Sequence, residues 1–315
     1  MTKRMNRRDM LRQLGAGAAI IAFPPRLFAH DPPWIPGTLG PGEWADDSDT
    51  SRLADWSTAL IAQATTEPRM SPGLRAIRVG ELALGTPYEA FMLEAYLKSG
   101  GNPVAREPIA LSLTRFDCVT LVESCLAVAR ASEAGVPPSW ARFSREVERM
   151  RYRGGVRGGY ASRLHYFSEW ISDGEKRGLV RDLGQELGGV ADTRPLRFMT
   201  EHRDSYPALA SDTVYRLVGE MERRLDTRRR WIIPRERIHE VEGLIDSGDV
   251  LAFATSIDGL DVSHAAFAYR DVKGTLRVLH APLSGGAVEI TRTTLPEYVA
   301  NIRRATGILV ARPMT

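Results

Sequence analysis

SLTRFDCVTLVESCLAVAR, residues 112–130, contains both cysteines of the 315-residue chain and a strong apolar stripe at helical spacing. A helix starting near Asp117 puts Cys118, Leu121, Val122, Cys125 and Val128 on one face, which belongs against a core. Seven residues of helix hold the two cysteine Cα atoms about 10 Å apart. A disulfide tolerates at most roughly 7 Å. Both thiols are therefore expected to be free. Cys125, in mid-helix among apolar neighbours, reads as a small hydrophobe. Cys118 reads differently, because it lies in the first turn. There, unpaired backbone N–H groups and the positive end of the helix dipole favour a thiolate, and Thr114 or Asp117 can cap the turn. A thiolate so placed is the nucleophile that cysteine hydrolases use, and it needs an imidazole beside it.

Six histidines are available. His30 sits near the end of a targeting segment, and His202 and His239 lie in polar surroundings without a partner at motif spacing. His264 and His280 fall in two consecutive strand-like stretches, LDVSHAAFAYR and GTLRVLHA. A three-residue hairpin loop, Asp271 to Lys273, would set Arg270 opposite Gly274 and His264 directly opposite His280, with Cβ atoms about 5 Å apart. A two-residue loop would send the rings to opposite faces. In the first register one imidazole orients the other, which is the second half of a thiol triad. A metal reading stays open, since His165, His264, His280 and a carboxylate could form a zinc donor set. No HxxxH or HxH spacing supports it.

Outward from these motifs the chain divides by texture. Residues 30–50 are rich in Pro, Gly and acid and read as a linker or arm. Residues 51–230 read as mainly helical, with Ser51 capping the first helix, a turn at Pro72-Gly73, an ambiguous EAFMLEAYL run and a glycine-rich loop at RGGVRGGYASR. From Trp231 to the end, short apolar stretches punctuated by Gly-Asp, Asp-Gly and Gly-Gly read as antiparallel strands carrying the histidines. Helices first and a meander last make an α+β layout.

Residues 1–29 open with Lys3, Arg4, Arg7, Arg8 and Arg12, continue through an apolar run from Leu14 to Phe23, and reach Leu27-Phe28-Ala29. That order is a secretory signal, too short to span a bilayer, and the Arg7-Arg8 pair fits the twin-arginine type. Export to a bacterial periplasm follows as an expectation, with an uncleaved signal as the one means of membrane contact. This segment holds six of the 42 Lys+Arg and one of the 39 Asp+Glu, leaving 36 basic against 38 acidic side chains. No basic field remains to attract nucleic acid.

Taken together, RFDCVTLVE, GLDVSHAAFAYR and LRVLHAPLSGGAVEI resemble the papain-like, NlpC-type cell-wall hydrolases. More narrowly they resemble the N-acetylmuramoyl-L-alanine amidase-like branch, which GYASRLHYFSEWI, SGDVLAFAT and TGILVARP also match, over roughly residues 55–312. The resemblance implies a helical portion whose Cys helix packs on a small antiparallel sheet, with helical insertions restricting the cleft. It implies a muropeptide substrate, preferably an anhydro-sugar fragment, cut at the amide between MurNAc lactyl and L-Ala. It makes Cys118 the nucleophile, His264 the base and His280 the third member. Arg163, His165 and Tyr166 would line the substrate cleft, and Asp117 and Ser263 join them as candidate binding residues. An amphipathic helix with an exposed Arg and a buried Tyr explains the first group as well. After His280 the chain reads Ala281-Pro282 where the branch has Ala-Ser, a change at the cleft rim rather than in the triad.

The chemistry so implied is acyl transfer through a thioester, with the Cys118 N–H as an oxyanion donor and no metal or organic cofactor. Rival readings are a γ-D-Glu–diaminopimelate endopeptidase with the same triad, a zinc amidase, and a non-catalytic wall-binding protein.

Overall fold

The structure is a computed structural model and describes residues 47–67, 69–133, 135–283 and 286–315. The targeting segment and the arm up to Asp46 lie outside the described residues. α1 (Asp47–Thr66) begins ahead of Ser51, so Ser51 sits inside the helix rather than capping it. Acidic Asp47 and Asp49 occupy the first turn, where the dipole favours them. Asp49 also accepts the Leu113 N–H at 2.6 Å. α2 (Pro72–Leu82) has Ser71 as its cap and Pro72 at its start. The Pro-Gly pair expected as a turn is thus the first turn of a helix, where proline's missing N–H is no loss.

The cysteine stretch forms α3 (Cys118–Ala131), followed by α4 (Trp140–Arg151), α5 (Phe167–Lys176) and α6 (Asp212–Leu225). EAFMLEAYL resolves into a 3-10 turn at Met92–Glu94 and one α turn at Ala95–Lys98. Two short strands, β1 (Val180–Asp182) and β2 (Val190–Asp192), interrupt the helical half. β3 (Arg230–Pro234), β4 (Val250–Thr255), β5 (Val262–Arg270), β6 (Leu276–His280) and β7 (Glu289–Ile290) follow. The chain then forms α7 (Leu295–Asn301) and closes with β8 (Ala305–Pro313). The strands make one sheet in the order β2-β3-β8-β4-β5-β6-β7, with β1 also on β8. Every pairing is antiparallel. The fold is α+β, as expected.

β4 shows how the sheet is covered. All six residues of VLAFAT are buried. Val250, Ala252 and Ala254 face the helices with Leu121, Val122 and Cys125, while Leu251 and Phe253 face a second cluster with Val299 and Ile308. Covered on both faces, the strand reads as an unbroken apolar run rather than an alternation. At its entry Gly248 has φ +93°, and a Cβ there would fall 2.1 Å from the Gly73 backbone. Only glycine lets the start of α2 close so tightly on the sheet.

α3 crosses this sheet as the central helix, buried almost all round after Val119. Cys125 is fully buried and Cys118 partly accessible, both free thiols. Cys125→Ala should cost about 1 kcal/mol in thermal unfolding through the lost packing and leave turnover unchanged. A third cluster, with Tyr160, Tyr166, Phe198, Met199, Val218 and Met221 joined by Ile257 from the segment after β4, forms a separate small core. Among the described residues no helix is long and apolar enough to cross a membrane.

Candidate active site

α3 is held at its start by a reciprocal cap. Asp117 Oδ1 accepts the Thr120 N–H at 2.7 Å, and Thr120 Oγ1 accepts the Asp117 N–H at 2.8 Å. Of the two caps that the sequence allows, Asp117 is the one used; Thr114 pairs with Ser112 at 3.0 Å. The cap presents Cys118 to a cleft of about 500 Å3, whose walls also carry Tyr88, Asp117, Ser263, His264 and Tyr298. The sulfur lies within reach of the backbone N–H of Ala265, the residue after His264. Thiol and imidazole, far apart in sequence, line the same cleft.

The helix start does not make a resting thiolate. Enclosure of the sulfur pushes the Cys118 thiol up to about 12, and the Asp117 charge adds to it. The N–H groups of Ala265, Val119 and Cys118 pull the other way and do not prevail. Lost hydration outweighs those hydrogen bonds. The expectation of a dipole-stabilised thiolate is corrected: the thiol rests protonated.

His264 Nε2 lies 2.8 Å from His280 Nδ1. Phe253 stacks on the His264 ring with centroids 5.5 Å apart. The pairing arises from a register other than the expected one. Arg270 pairs with Leu276 and Phe267 with Leu279, so the hairpin loop is five residues, Asp271–Thr275. Asp271 builds that loop by accepting the Lys273 and Thr275 N–H groups, both at 2.9 Å. The two additional residues shift the register by two, which sets the histidines diagonal to one another instead of directly opposite. An odd loop keeps both on one face, and long side chains reach across the diagonal.

Burial holds both rings neutral. His264 is pushed well below its ordinary value by burial and by its neighbour His280. His280, 1 % exposed, is lowered by burial to about 4. Below an unfolded-state value near 6.5 the unfolded chain takes up a proton that the folded chain refuses. His280 therefore stabilises the fold above that pH, and its contribution is lost as pH falls from about 6.5 towards 4, on the order of 3 kcal/mol. Urea unfolding at pH 7 and pH 4.5 should show this loss, and His280→Asn should reduce it.

Two neighbours of His280 had no sequence signal. The Tyr298 hydroxyl, on α7, lies 3.3 Å from His280 Nδ1. Glu289, opposite His280 in the β6–β7 pair, has Oε1 3.6 Å from His280 Nε2. That nitrogen is buried with no hydrogen-bond partner among the described residues. Asp261 was also missed. It accepts the Ser168 N–H at 2.8 Å and the Val262 N–H at 2.7 Å, tying α5 to the start of β5 just ahead of Ser263 and His264. The β4–β5 register shifts at this place.

Arg163, His165 and Tyr166 do line the cleft, but their polar atoms are engaged elsewhere. Arg163 is 4 % exposed, not the exposed arginine of an amphipathic helix. Its Nε donates to Glu107 at 2.6 Å, and its terminal nitrogens donate to Glu94 and the Leu93 carbonyl, each at 2.7 Å. His165 Nε2 bonds the Tyr160 carbonyl at 2.9 Å. Tyr166 is buried and donates to Glu222 at 2.7 Å. Asp117 is committed to its cap, and Ser263 Oγ lies 3.4 Å from the Phe253 carbonyl. These residues shape the wall more than they offer free donors. His165 stands apart from the two paired imidazoles, and no group of three or more His, Cys, Asp or Glu among the described residues is placed to hold a metal ion.

Comparison with known proteins adds a family. A family model described as AmiA-like, N-acetylmuramoyl-L-alanine amidase-like, matches residues 78–308. An N-acetylmuramoyl-L-alanine amidase structure from Bacteroides uniformis ATCC 8492 is 27% identical, with a TM-score of 0.71 over 78% of this chain and 99% of that one. A structure from Bacteroides fragilis, provisionally described as a xylanase, is 31% identical, with a TM-score of 0.67 over 74% of this chain and 99% of that one. A Legionella pneumophila protein that is 20% identical shares the fold, with a TM-score of 0.58 over 85% of this chain and 97% of that one. No curated protein matches the chain.

Proposed function

Because the chain belongs to the AmiA-like, N-acetylmuramoyl-L-alanine amidase-like family of peptidoglycan hydrolases, we propose that it is a papain-like, NlpC-type cysteine amidase. Its substrate is a muropeptide, preferably with an anhydro-MurNAc, cut between the lactyl group and L-Ala. The observation that supports this is one thiol and one imidazole, Cys118 and His264, on the wall of a single cleft, with the buried His280 ring 2.8 Å behind His264.

His264 Nε2–H donates to His280 Nδ1, which leaves the His264 Nδ1 lone pair as the base. His280 then carries its proton on Nε2, towards Glu289. With thiol and imidazole both neutral at rest, the proton moves to His264 as the sulfur attacks the lactyl carbonyl. The tetrahedral oxyanion meets the Cys118 N–H at the helix start. His264 returns the proton to the departing L-Ala amine, and a thioester remains. Water deprotonated by His264 attacks the thioester, releasing the sugar acid and restoring the thiol. Asp117 positions the nucleophile, and His280 fixes the tautomer of the base.

The endopeptidase reading keeps the triad and moves the cut. Mass spectrometry of a digested anhydromuropeptide separates the two: free sugar acid plus intact peptide supports the amidase, and a shortened peptide still on the sugar refutes it. A glycosidase would need a working pair of carboxylates. In this cleft Glu94 is paired with Arg163 and Glu123 with Arg151. Twin-arginine export to the periplasm completes the reading. Arg7→Lys with Arg8→Lys should keep the chain in the cytoplasm, and unchanged export would rule that route out.

A further inference from the structure

We propose that Arg303 and Arg304 form a carboxylate subsite for the leaving peptide, so that the preferred substrates are anionic peptidyl amides. The proposal rests on the amidase reading. Both arginines line the same cleft as Cys118 and His264, on the turn between α7 and β8 beside Tyr298 and Asn301. The turn is anchored: the Arg304 carbonyl accepts the Ser256 N–H at 2.9 Å, and Ala305 pairs with Thr255. Neither guanidinium makes a hydrogen bond or ion pair with another described residue.

The remaining charges of the cleft are answered. Arg163 meets Glu94 at 2.7 Å and Glu107 at 2.6 Å, Arg151 meets Glu123 at 2.7 Å, and Asp117 serves its cap. Two positive charges therefore stand unanswered on one wall. The chemistry of the substrate says which side they serve. An N-acetylated anhydro sugar carries no charge, and its lactyl carboxyl is consumed in the scissile amide. The peptide beyond L-Ala carries free carboxylates, the first on the D-Glu residue. A guanidinium takes a carboxylate through two parallel N–H···O bonds, which rewards an anion and leaves a neutral amide under-bound. The arginine wall is the leaving-peptide side.

The test compares anhydro-MurNAc-L-Ala-D-Glu with anhydro-MurNAc-L-Ala-D-isoglutamine, which differ only in that carboxylate. The full chain should favour the acid about tenfold through KM, with kcat little changed, as expected for a hydrogen bond to a charged group. Arg303→Gln combined with Arg304→Gln should erase the preference while the unfolding midpoint stays put. Equal KM values for the two substrates, or a preference that survives in the double variant, would overturn the subsite while hydrolysis at the lactyl amide left the amidase reading intact. Calorimetry on the Cys118→Ala protein separates the claims in the other direction. Acid-selective binding that needs both arginines, without any hydrolysis by the unsubstituted chain, keeps the subsite and rejects the amidase.

Discussion

Cys118→Ala is expected to lower turnover of an anhydromuropeptide by about 10^4-fold or more, because in the proposed mechanism each later step needs a thioester on this sulfur. The expected loss is chemical rather than structural. Cys118 keeps partial access to the cleft, and its helix is fixed by the Asp117–Thr120 cap and by the apolar residues that follow. The unfolding midpoint should therefore stay close to that of the unsubstituted chain. Release of the stem peptide, followed by chromatography, reads the first quantity, and thermal unfolding reads the second. Full turnover in the variant would reject the cysteine mechanism. Treatment with iodoacetamide beside treatment with a chelator would then show whether a metal does the work.

Arg163→Ala is expected to destabilise the fold by about 3–5 kcal/mol, the usual consequence of removing one member of a buried ion pair. Glu107 is 2 % exposed and holds the hydroxyls of Tyr152 at 2.7 Å and Tyr96 at 3.1 Å. Those hydroxyls contribute donors but no positive charge. Although burial opposes it, the carboxylates of Glu107 and Glu94 hold Arg163 well above its ordinary value. Without the guanidinium, Glu107 must either stay charged in an apolar setting or take up a proton. Urea unfolding measures the loss, and Glu107→Gln in the same chain should recover a good part of it, since the two residues are directly coupled. A variant of unchanged stability with a raised KM would make Arg163 a substrate ligand instead.

The sequence and the structure part company where long-range neighbours decide. Cys118 was legible because its signals are local: a capping residue, a first turn and an apolar stripe. The shared face of His264 and His280 was legible because strand geometry has period two, so any odd loop preserves it. Their register was not, because the Asp271 side chain organises a longer loop than the strand pattern requires. The resting state of the thiol was misjudged for a similar reason: a sequence displays the helix dipole and hides the dehydration that opposes it. Arg163 does line the cleft, but its burial against Glu107 was not legible, because that carboxylate lies 56 positions away. Tyr298 and Glu289 reach His280 from segments without any motif. The α+β layout was visible in the order of helical and strand-like patterns along the chain, whereas membership of the amidase-like family rests on the match over residues 78–308.

Hydroxylamine offers the most direct test of the covalent mechanism. Added during turnover, it should intercept the Cys118 thioester and divert part of the lactyl sugar to its hydroxamate, with the stem peptide leaving intact. If only the sugar acid forms at every hydroxylamine concentration, no acyl-enzyme lies on the path, and Cys118 is not the nucleophile.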